Sequence, residues 1–185
     1  MKIKFWIAPF LLLALVCSCS PNVVSLQYQP QQEFGPECED KVTVLPFQDT
    51  TGKRNLGTNR KGEQIFSDIA VEKWVREATA DQLEAQGCKV RVSGSADAGV
   101  AVEGRILDVD LQEVSSTEYK GALRVEIMLR AEPEGKDLYR ETFGVKVGKH
   151  ILPGTKRVED VLQELMQELM QAMVPKLVQR MQEED

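Results

Sequence analysis

From Glu118 to Glu132 apolar and polar residues alternate. Tyr119, Leu123, Val125, Ile127 and Leu129 fall on one side, and Lys120, Arg124, Glu126 and Arg130 on the other. A period of two predicts a half-buried antiparallel strand. Pro133 to Asp137 reads as a hairpin turn. Leu138 to His150 returns from it, with Phe143, Val145 and Val147 alternating against Thr142, Gly144 and Lys146. Upstream, Ala98 to Val114 is a further strand. It sets Val100, Val102 and Ile106 on one side and Ala101, Leu107, Val109 and Leu111 on the other. Gly104 is expected to mark a bulge where the inward face switches.

The period changes to a helical one in two places. From Gln64 to Gln86 the residues Val71, Trp74, Val75, Ala78, Leu83 and Ala85 share a broad face, and Gly87 is placed to end the helix. From Val158 to Met181 an inward stripe runs through Val161, Leu162, Leu165, Leu169, Ala172 and Met173, widened by Met166, Met170 and Leu177. Pro175 should kink or restart that helix. Two short β-rich runs, Lys41–Phe47 and Cys88–Val92, flank the first helix and suggest a right-handed βαβ unit with parallel strands. The expected fold is α+β: a mixed sheet of about five strands, in the order β-α-β-β-β-β-α, with two long helices on one face.

Ahead of these elements lie Lys2, Lys4 and a run of 12 residues from Phe5 to Val16. Such a run is too short to span a membrane, which takes roughly 20 residues. A basic start, an apolar middle and a small-residue exit are the parts of a secretory leader. The exit, Val16-Cys17-Ser18-Cys19, resembles a lipobox. Cys19 has an aliphatic residue three before it and a small residue just before it, whereas Cys17 has them reversed. The resemblance implies lipidation at Cys19. The alternative is an ordinary secretory leader cut nearby, with Cys19 a free thiol. Ser20, in place of an Asp after the lipidated Cys, implies the outer membrane, with the chain on its periplasmic face. The domains read as a leader over 1–18, a lipid-anchored flexible tether over 19–37 and a single periplasmic domain over 38–185. Three prolines and several glutamines between Ser20 and Glu37 suggest a tether reaching on the order of 60 Å. Tyr28 and Phe34 are either partly packed on the domain or a docking strip.

The apolar content of 42% is enough for a core, and the formal charge of −6 falls to −8 once Lys2 and Lys4 leave with the leader. Such an acidic chain makes nucleic acid a poor partner. With Cys19 acylated, Cys38 and Cys88 remain. A periplasmic address permits a disulfide. If the strands of the βαβ unit are neighbours, both cysteines stand at one end of the sheet. Gln48 to Gly62 is a polar loop carrying Lys53, Arg54, Arg60 and Lys61. It is either a solvated loop or a contact for an anion or partner. It lacks the Lys-Ser/Thr of a phosphate-binding loop. Asp49 is expected as a turn former. His150, the one histidine, has no second group to make a catalytic pair, and no spacing of Cys or His supports zinc. No cofactor, no metal and no enzyme activity are expected.

The leader, the stretch Pro46-Phe47-Asp49-Thr51-Gly52, a helix closed by Gly87, a hairpin and a final helix together resemble the YajG-like lipoproteins. They also resemble the wider CsgG- or TolB N-terminal-like domains. The resemblance implies an anchored α+β domain working in the envelope through contacts with other envelope proteins. A second expectation is a lipid- or glycan-binding transport accessory that uses the basic loop 53–61.

Overall fold

The structure, a computed structural model, describes residues 22–31, 38–150 and 157–183. Cys19, Phe34 and the loop Leu152–Thr155 lie outside the described residues. The chain runs β1 (Asn22–Val24), β2 (Lys41–Val44), β3 (Gln48–Asp49), β4 (Gly57–Thr58), β5 (Gln64–Ser67), α1 (Val71–Ala85), β6 (Lys89–Val92), β7 (Gly99–Glu113), β8 (Glu118–Glu132), β9 (Lys136–His150) and α2 (Arg157–Gln182). No described helix is long and apolar enough to cross a membrane.

Strand β7 is the axis of a mixed sheet. One edge pairs antiparallel with β8, which pairs antiparallel with β9. The other edge takes three parallel strands in succession. β2 lies against Val100–Val102, β3 against Arg105–Ile106, and β4 against Leu111–Gln112. Outside β2 lies β6, and outside β4 lie β5 and then β1. Both helices bury their apolar faces on one side of this sheet, α1 on the parallel part and α2 on β8 and β9. Val44, Val75, Leu83, Val102, Ile106, Val125, Ile127, Leu165 and Met170 share one core. The expected stripe on α2 is buried, with Val174, Val178 and Met181 completing it, whereas Ala172 is exposed. Pro175 is half-buried inside a helix that continues through it.

The five expected strands are present, and four short ones join them, which corrects both the count and the order. Gln64–Ser67 was expected in the first helix and is β5. Its backbone is paired on both edges, parallel to β1 and antiparallel to β4, and that pairing outweighs a local helical preference. The polar loop 48–62 similarly contains β3 and β4. The residues expected as a tether are packed on the domain from Asn22 to Gln31: Val24 and Leu26 are buried at 8% and 5% exposure.

Gly104 is not the bulge. The register of β7 against β8 shifts between Ile106 and Asp108, so Leu107 is the inserted residue. Val109 and Leu111 thereby keep the inward face begun by Val102 and Ile106. Gly104 instead makes room for Phe47: a Cβ there would stand 2.4 Å from the Phe47 ring. Gly104→Ala must push aside a buried ring or bend β7, and is expected to lose about 1–3 kcal/mol of stability, measurable by urea unfolding. Unchanged stability would mean that the ring moves freely.

Strands β2 and β6 are parallel neighbours with Lys41 opposite Lys89. Cys38 and Cys88 therefore meet, bonded, with Cα atoms 4.6 Å apart. Gly87 ends α1 at φ 96°. A side chain there would collide with the Cys38 carbonyl, 2.9 Å from an added Cβ. The glycine thus both turns the chain and admits the cross-linked strand.

Candidate functional site

Both helices lie on one face of the sheet, and among the described residues none covers the other face of β7–β9, where the period of two decides what stands on it. Three rows cross the strands in register: Asp108, Arg124 and Gly144; Asp110, Ala122 and Lys146; Gln112, Lys120 and Gly148. Small residues at three of the nine places hollow the surface. Two adjoining depressions result, of about 460 Å³ and 340 Å³, both lined by Ala122 and Lys146. Both are open to solvent. Acids line the β7 side, and the cations Lys120, Arg124 and Lys146 come from β8 and β9. The Asp108 carboxyl is held below the usual carboxylate range by a hydrogen bond from Lys53 first, and then by the charges of Lys53 and Arg124. Toward the other end of the same face, Arg130 bridges Glu103 and Asp137 at 2.8 and 3.0 Å. The arrangement offers fixed charges of both signs around a shallow floor, which suits recognition of a surface. Among the described residues no group of His, Cys, Asp or Glu stands close enough to hold a metal ion. His150 is exposed at the end of β9.

The four cations of loop 53–61 do not form one patch. Lys53 is paired with Asp108 at 2.9 Å and donates to the Val109 carbonyl at 3.1 Å. Arg54 lies beside it, lining a hollow between the end of β3 and the start of α1. Arg60 and Lys61 stand apart, exposed at the turn between β4 and β5, with Arg60 3.7 Å from Glu113. Strand β4, between Arg54 and Arg60, separates the pairs. Asp49 forms the expected turn, accepting the Thr51 N–H at 2.8 Å.

A second construction has no counterpart in the periodicity of the sequence. Residues 22–31 lie as an extended strap, held by side chains that bond its backbone. Asp68 accepts the Leu26 N–H at 3.0 Å and the Ser25 hydroxyl at 2.8 Å. The Trp74 indole donates to the Gln27 carbonyl at 3.2 Å. Gln82, fully buried, accepts the Gln31 N–H and donates to the Gln31 carbonyl, and its oxygen also takes the Tyr28 hydroxyl. A buried Gln on a helical apolar face was the available signal, because such an amide must find partners. Burial, and then the Asp81 charge, push the Tyr28 hydroxyl well above its ordinary range.

Asp68 makes the strap sensitive to acid. Its carboxyl is held low, first by the Leu26 N–H and then by the Ser25 hydroxyl. The support it gives is complete above the ordinary Asp pKa of about 3.9 and is lost as pH falls through the lower folded value. In a chain that begins at Cys19, Trp74 is the one tryptophan, so its emission reports the strap. A red shift below about pH 4 is expected, and Asp68→Ala should show it already at pH 7. Emission of the variant matching the wild type at both pH values would rule this out.

No family model matches the chain, and no curated protein matches it in sequence. Solved structures match in fold. Protein XCC0632 from Xanthomonas campestris, of family DUF330, superposes with a TM-score of 0.66 at 10% identity, over 88% of this chain and 98% of that one. Hypothetical protein CT253 from Chlamydia trachomatis gives 0.52 at 13% identity, over 77% and 98%. Lipoprotein GNA1162 from Neisseria meningitidis gives 0.35 at 11% identity, over 75% and 98%, too distant to carry an argument. The comparisons do not establish the YajG-like family for this chain. What they do establish is that its mixed sheet with two helices on one face is a fold that other chains share.

Proposed function

We propose that this is an envelope lipoprotein, anchored through Cys19 in the outer membrane on its periplasmic side, that works by binding other envelope proteins and not by catalysis. The observation that carries the binding part is the open face of β7–β9, with its two adjoining depressions ringed by Asp108, Asp110, Lys120, Arg124 and Lys146. Charges of both signs at fixed register select partners more than they add raw affinity. The leader pattern and the bonded Cys38–Cys88 pair support an oxidising, extracytoplasmic address. The basic loop is a weaker candidate for the binding site, since Lys53 is already committed to Asp108.

The address is tested by the mass of the mature N-terminus, which acylation of Cys19 raises. The binding is tested by photo-crosslinkers placed at Thr142, on the open face, and at Glu77, on the outside of α1, in cells. The same envelope protein captured from Thr142 and absent from Glu77 supports the reading. Capture from Glu77 alone would move the binding site to the helix side and overturn it.

A further inference from the structure

The packed strap changes where the domain sits. Between Cys19 and Asn22 there are three peptide units, which span at most about 11 Å. Beyond Asn22 the chain is already part of the sheet. If Cys19 carries lipid, the end of the molecule at Asn22 cannot leave the membrane surface.

That end can be named. Asn22 stands opposite Ile65 in the β1–β5 pair and donates to Glu63 at 3.4 Å. Glu63 also takes the Asn59 side chain at 2.7 Å. The turn between β4 and β5, with Arg60 and Lys61 exposed on it, is therefore next to the exit toward the anchor. The Arg60 guanidinium approaches Glu113, and Val114 follows in the turn from β7 to β8. Three large apolar side chains are well exposed among the described residues, Val23, Val92 and Val114. Two of them, Val23 at 50% and Val114 at 45%, are at this end. Cations flanked by exposed apolar groups fit the boundary between anionic headgroups and acyl chains.

We infer that Arg60 and Lys61, with Val23 and Val114, form a contact surface for the anionic lipid headgroups around the anchor, so that the long strands stand up from the membrane on this end. The inference rests on lipidation at Cys19. The β8–β9 turn then points away, roughly 45 Å off along β8, and the open face of β7–β9 stands edge-on to the membrane, accessible from the side.

The full-length lipidated protein is reconstituted in vesicles of phosphatidylethanolamine and phosphatidylglycerol containing a headgroup-linked quencher. A fluorophore is attached at Ser116→Cys, in the turn beside Val114, or at Glu134→Cys, in the far turn. The expected result is strong quenching at position 116 and little at position 134. Reversing both charges (Arg60→Glu with Lys61→Glu) should weaken this orientation about fivefold for each cation removed, and more for reversal. A flexible insertion of about 20 residues after Ser20 should also weaken it. Each sample's N-terminal mass is measured. An acylated Cys19 with equal quenching at the two positions overturns the inference alone. Quenching confined to position 116 but unaffected by charge reversal overturns the headgroup contact and leaves the short linker as the cause. An unacylated mature N-terminus overturns the lipoprotein reading, and this inference with it.

Discussion

Replacing Cys38 and Cys88 together by Ala is expected to lower unfolding stability by about 4 kcal/mol. The cross-link joins residues 50 apart, and closing a loop of that length removes much of the freedom of the unfolded chain. The enclosed segment holds β2 to β5, α1 and the approach to β6, which includes all three strands that pair with β7 on the edge opposite β8. Those strands are two to four residues long. They make few ladder bonds each, and parallel pairing over long connections carries a large entropic cost. The loss should therefore appear with a steeper dependence on urea, because the unfolded chain becomes less compact. The β7–β9 meander should stay protected from hydrogen exchange longer than β2 and β6. A variant with the wild-type midpoint and slope would show that the bond adds nothing to the packing around it.

The contrast between long and short strands also explains what could be read from the sequence. β7, β8 and β9 each place many residues on two unlike faces, so their period of two is written in side chains. The helices are legible for the same reason at the other period. β3 and β4 have two residues each and hold their place through backbone bonds to β7, which leave no side-chain pattern. Leu107 shows a further limit. One inserted residue returns Val109 and Leu111 to the inward face, and a glycine three positions earlier drew attention away from it. The disulfide was foreseeable because the βαβ geometry sets both cysteines at one end of the sheet. The candidate site is only half visible in the sequence: alternation sets Lys120, Arg124 and Lys146 on the wet side of strands. That they surround a hollow depends on register across three strands, which no single strand reveals. The basic loop was visible as composition, but its partition into Lys53–Arg54 and Arg60–Lys61 was not.

The strap is the feature whose loss would alter the most, and Trp74 is its centre. Trp74→Ala is expected to cost about 3–5 kcal/mol, the range for removing a large buried aromatic. At 2% exposure the indole fills the space between α1 and the strap, and its N–H is bonded to the Gln27 carbonyl. Trp74→Phe keeps most of the apolar bulk and removes only the donor. It should cost about 0.5–1.5 kcal/mol, the net worth of one hydrogen bond, and its effect should be local. Hydrogen exchange separates the two outcomes: the phenylalanine variant loses protection over residues 22–31 while β8 keeps it, and the alanine variant loses protection in α1 as well. A freed strap restores an extendable link of some ten more residues between Cys19 and the sheet, so the same phenylalanine variant should relax the orientation of an anchored protein on a membrane without changing its open face. Equal protection of residues 22–31 in wild type and both variants would mean that Asp68 and Gln82 hold the strap unaided, and that the indole serves the core alone.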